Sequence, residues 1–75
     1  MTAQHDIELQ ELVDQVKARF GEAVANAAAD KASIRARRAV WDEWDDPPSP
    51  HARARLQSCF IDEAKVEMRR LLERP

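Results

Sequence analysis

The chain has one glycine, one cysteine and no tyrosine in 75 residues. Each scarcity excludes something. The single glycine, Gly21, is too little for a phosphate-cradling loop, which needs several permissive backbone positions close together. The single cysteine, Cys59, excludes an internal disulfide. In "LQSCFIDE" it has neither a second Cys nor a flanking His, so zinc spacing is missing as well. Cys59 is read as a small buried side chain. β-branched residues are few and never alternate with polar ones between turn residues, so no strand is expected. No apolar run approaches the ~20 residues that cross a bilayer. The start, "MTAQHDIELQ", has neither the basic nor the apolar part of a secretory leader. These absences predict a complete small cytoplasmic protein with no membrane partner.

Lys and Arg number 12 against 14 Asp and Glu, a formal net charge of −2. That balance speaks against a surface that grips nucleic acid all over. At 44% hydrophobic residues the chain is too apolar for a disordered polyelectrolyte. Its length allows one domain, residues 1–75, with a modest core. Alanine is abundant, with Arg, Glu, Leu and Gln, and that mixture favours helix nearly everywhere. The fold class expected is all-α.

Asp6 is a good N-cap, with Glu8 in the first turn where the helix end is positive. Leu9, Val13, Val16 and Phe20 then recur at helical spacing, and Leu12 widens the stripe. Continued past Gly21 in the same heptad count, the seam reads Ala23, Ala27, Asp30, Ile34, Arg37, Trp41 and Trp44. Because the count does not slip, one long helix over about 6–45 is predicted, bent at Gly21 or straight. The competing arrangement breaks the chain near Gly21 and folds it as a three-helix bundle. Asp30 and Arg37 fall on the seam, as register-fixing polar residues or as rim residues.

Pro47 ends the helix, because the residue before a proline is pushed out of the α region. Residues 46–50 form a prolyl corner. Ser49 is the expected N-cap of a returning helix over about 50–73, with Pro50 at its first position. Leu56, Phe60, Ile61, Ala64, Met68, Leu71 and Leu72 make that helix's apolar stripe. The result is a helical hairpin with arms of unequal length. The longer arm leaves Leu9, Leu12, Val13, Val16 and Phe20 uncovered, so a homodimer pairing those stripes is expected.

Catalytic patterns are missing. His5 and His51 are isolated, and Ser33, Ser49 and Ser58 have no base in reach of the local pattern. Asp42 and Asp46 come nearest to a cation site, and two acids at a corner are too few. Glu63 and Glu67 are read as part of a solvated face. No cofactor and no metal are expected, and the chain is read as a non-enzyme.

What remains are two surfaces. Trp41 and Trp44, three apart, share a side and are ringed by Asp42, Glu43, Asp45 and Asp46. They are either the core of the corner or anchors for a partner, with Asp42 and Asp45 choosing a basic surface. Arg53 and Arg55, just past the corner, are candidates to neutralise the acids. Separately, Lys31, Arg35 and Arg38 lie at i, i+4 and i+7, with Arg37 beside them. That face is either salt-bridged or a contact for nucleic acid. The reading preferred is an interaction module that inhibits, adapts or regulates a larger protein. The alternative is a nucleic-acid-binding regulator.

Overall fold

The structure, a computed structural model, describes residues 6–74. Every regular element among them is helical: α1 (Ile7–Phe20), α2 (Glu22–Ala39), a 3₁₀ turn (Trp41–Glu43) and α3 (Pro50–Leu72). The all-α expectation holds, and the three-helix arrangement replaces the single long helix. A straight helix over 6–45 would be about 60 Å long. The molecule's longest dimension is 41 Å.

Gly21 makes the break. Its φ of 98° and ψ of 165° lie where only glycine sits without strain. Its N–H donates to Lys17 O at 3.0 Å and closes α1, while its C=O accepts from Ala25 N at 3.3 Å and opens α2. One residue therefore ends one helix and starts the next. The buried face changes phase there. Val16 is the fully buried residue of α1, and α2 buries Ala25, Ala28, Ala32 and Ala36. At about 100° per residue, the nine steps from Val16 to Ala25 amount to a half-turn offset. The continued heptad seam thus faces away from the core: Ala23, Ala27, Asp30, Arg37 and Trp41 are exposed, and Ile34 is half-exposed.

The α1 stripe is used inside the chain. Val16, Ala25, Ala28 and Met68 form a core cluster, and Leu12, Val13, Val24, Leu71 and Leu72 pack against it. Leu9 is partly buried and Phe20 is 37% exposed, with the Arg19 guanidinium 5.1 Å from its ring centre. The uncovered stripe from which a homodimer was expected is therefore not left over. The alanine face of α2 keeps helices close, since interaxial distance follows side-chain size at the contact. Larger side chains from the neighbours, Val16 and Met68, fill the space.

The returning helix forms as expected. Ser49 Oγ accepts from Ala52 N at 3.1 Å, and Pro50 occupies the first position. Ala64 and Met68 are buried and Leu56, Phe60, Ile61, Leu71 and Leu72 partly so, while Cys59 is only partly buried. Glu67 corrects the solvated-face reading: it is 8% exposed and paired with Arg35 across the α2–α3 contact. A buried carboxylate needs such a partner.

An ion-pair cluster ties the start of α1 to α3. Lys65 Nζ lies 2.8 Å from Asp6 Oδ2 and 3.3 Å from Glu8 Oε1, and Arg69 pairs with Glu8. Asp6 also caps Leu9 N at 2.9 Å. The Lys65 ammonium, bonded to Asp6, holds that carboxyl below its ordinary 3.8, and the Leu9 N–H adds to the effect. In return the Asp6 carboxylate raises Lys65 above its ordinary 10.5. Asp6 has the lower value when folded, so its contribution is complete above pH 3.8 and is lost as pH falls through the depressed value. Lys65 has the higher value when folded, so its contribution is complete below pH 10.5 and is lost as pH rises through the raised one. Asp6→Asn keeps a cap acceptor but removes the charge. Melting curves of the two proteins should differ near neutrality and converge as the pH drops below 3.8. A constant difference down to the most acid point would mean that the Asp6 charge is not its source.

Candidate interaction surface at the prolyl corner

The corner follows from its residues. α2 stops at Ala39, six residues short of the predicted boundary at 45. Val40 closes it, donating its N–H to Ala36 O at 3.2 Å, and its side chain is 1% exposed. Asp42 and Glu43 cannot extend the helix favourably, because acids at a helix C-terminus meet its negative end. The chain tightens instead into the 3₁₀ turn, with Glu43 N donating to Val40 O at 3.0 Å and Trp44 N to Trp41 O at 3.2 Å. Trp44 is extended, and the Asp46–Pro47 peptide is cis.

The tryptophans end up on one side, as the i, i+3 spacing predicted, but by a different route. Trp44 follows the 3₁₀ turn and is tied back to Trp41 by its own N–H. Trp41 is 72% exposed and Trp44 38% exposed. Together with Arg37, Val40 and Leu56 they line an apolar groove of about 140 Å³. Trp41 meets water beside a mostly apolar groove, Trp44 has most of its surface covered, and Val40 is the fully buried residue of the corner.

The acids divide into two sets. Glu43 pairs with Arg55 at 3.3 Å and faces His51 at 3.9 Å, so Arg55 returns beside the acids as anticipated. Arg53 does not, and borders the α2–α3 surface near Ser33 and Phe60. Asp42, Asp45 and Asp46 are exposed and make no ion pair among the described residues. The surface is therefore an aromatic groove at a corner that also carries three exposed carboxylates without ion pairs among the described residues.

The basic residues do not form one face. Lys31, Arg35 and Arg38 are on the same flank of α2, but Arg35 is tied to Glu67 and reaches Glu63 at 3.8 Å. Arg37 lies about a third of a turn away and borders the tryptophan groove. Lys31 and Arg35 instead share a second hollow with Arg70 and Arg74 of the C-terminal segment. Neither of those two arginines is singled out in the sequence reading. The signal was spacing: Glu67 and Arg70 are three apart on α3, and Arg74 follows just past its end.

Among the described residues no three His, Cys, Asp or Glu side chains gather where a metal ion would sit, and no helix is long and apolar enough to cross a membrane. His5 lies outside the described residues. No protein-family model, curated protein or solved structure matches the chain.

Proposed function

We propose that this is a non-enzymatic cytoplasmic interaction module that docks its prolyl corner onto a larger protein and thereby inhibits, positions or regulates it. The observation that carries this reading is Trp41, 72% exposed beside Trp44. Large aromatic side chains left in water are the usual energetic centres of interfaces. Asp42, Asp45 and Asp46 give the complementary surface its chemistry: an apolar protrusion flanked by Lys or Arg. The nucleic-acid alternative has less support, because Arg35 is engaged by Glu67 and Arg37 belongs to the tryptophan groove.

Trp41→Ala tests the reading. The substitution should leave the circular-dichroism melt close to that of the parent, since the side chain contributes little to the core. It should weaken capture of the partner in a pull-down from the source organism at least ~30-fold, as loss of an interface centre does. Indole emission of the parent should shift to the blue when the partner binds. A variant that unfolds would place Trp41 in the core, and one that folds and captures equally well would remove the anchor role.

A further inference from the structure

The hollow between α2 and α3, at the opposite end of α3 from the tryptophans, has a distinct chemistry. Lys31 and Arg35 border it from α2, and Arg70 and Arg74 from the C-terminal end of the chain. Its volume is about 260 Å³. Glu67 is the one carboxylate on its wall. That carboxylate is hydrogen-bonded by Arg35, which it holds at the hollow, and stands 3.7 Å from the exposed Arg70 guanidinium. Glu63, outside the hollow, reaches only Arg35. Lys31 and Arg74 make no ion pair among the described residues, so positive charge is left over after both carboxylates are counted. The rest of the wall is apolar, made by Val24, Ala27, Ala28 and Leu71.

Converging cations above an apolar floor are what a small molecule with one highly charged end requires. A guanidinium group already held in place, as Arg35 is, loses little freedom when it binds an anion. We propose that this hollow binds the terminal phosphate or diphosphate of a small molecule whose apolar body rests against Val24, Ala27 and Leu71. A strand of nucleic acid is a poorer fit. Its phosphates are strung out along a backbone and call for a track of cations, whereas these four meet around one compact space. The inference does not depend on the corner or its partner.

The test uses the full chain, labelled with ¹⁵N and titrated with pyrophosphate, with sodium chloride at matched ionic strength as the comparator. Pyrophosphate should give saturable amide shifts confined to residues near Ala27–Arg35 and Arg70–Arg74. The double variant Lys31→Gln/Arg74→Gln should bind at least ~10-fold more weakly. Both side chains are exposed, so its melting temperature should stay near the parent's. Arg35→Gln is avoided, because it would strand the buried Glu67. Equal responses to pyrophosphate and chloride would overturn the proposal, as would undiminished binding by the double variant. A short DNA duplex that binds more tightly than pyrophosphate, with a steep dependence on salt, would also overturn it in favour of a strand contact.

Discussion

Val16→Asp should abolish folding. Val16 is fully buried, and its neighbours are Ala25, Ala28 and Met68, none of which can pair with a carboxylate. Placing an unpaired charge there costs several kcal/mol. A domain has about 5–15 kcal/mol to lose, and one this small stands near the bottom of that range. The helical circular-dichroism signal should collapse at 25 °C. Val16→Ala provides a graded control: removing two methyl groups should cost about 2 kcal/mol and lower the melting temperature without unfolding the protein. The outcome separates two architectures. If the α1 stripe instead paired with a second copy of the chain, Val16→Asp would release a folded monomer. A helical variant of half the parent's sedimentation mass would mean the stripe is not buried within the chain.

Gly21→Ala should weaken the sharp link between α1 and α2. At φ 98° and ψ 165° an L-residue is strained by about 1–3 kcal/mol. No atom lies within 4 Å of the added Cβ, so the strain comes from the backbone and not from a clash. The same substitution favours a continuous helix through residue 21 by about 1 kcal/mol, because alanine propagates a helix better than glycine. Both effects act in one direction. Straightening the link withdraws Leu12, Val13 and Val16 from the core, and two chains exchanging their first helices would cover them again. The expected result is a lower melting temperature that rises with protein concentration, together with a doubled mass by sedimentation at high concentration. Unchanged mass and melting temperature would show that the link accepts alanine at no conformational penalty.

The contrast between these two positions explains what could be read from the chain. Asp6, Ser49 and Pro50 are local signals, acting within a turn of themselves, and each does what its chemistry predicts. The α3 stripe was also plain, because Leu56, Phe60, Met68 and Leu72 are bulky and confined to one side. α2 was not. Alanine stands at positions 23, 25, 27, 28, 29, 32, 36 and 39, so small apolar side chains occur all round the helix. Any phase then looks plausible, and a count continued from α1 selected the face that turned out to be exposed. The corner was half legible. The proximity of the tryptophans and the stop at Pro47 were visible, but the end of α2 at Ala39, six residues before the predicted boundary, was not. The hollow holding Lys31 and Arg74 was hidden, because its walls come from segments about 40 residues apart that only tertiary packing brings together.

The distribution of large buried side chains bears on how the surface at the corner would work. Val16 and Met68, with the leucines around them, secure the half of the bundle far from the tryptophans. In the corner half the fully buried side chains are Ala32, Ala36, Ala52 and Val40, with Leu56 and Phe60 covered in part. That half therefore keeps smaller side chains fully out of water than the Val16–Met68 end does. The indoles thus stand at the end of the bundle away from the Val16–Met68 cluster, so a change at Trp41 leaves that cluster untouched.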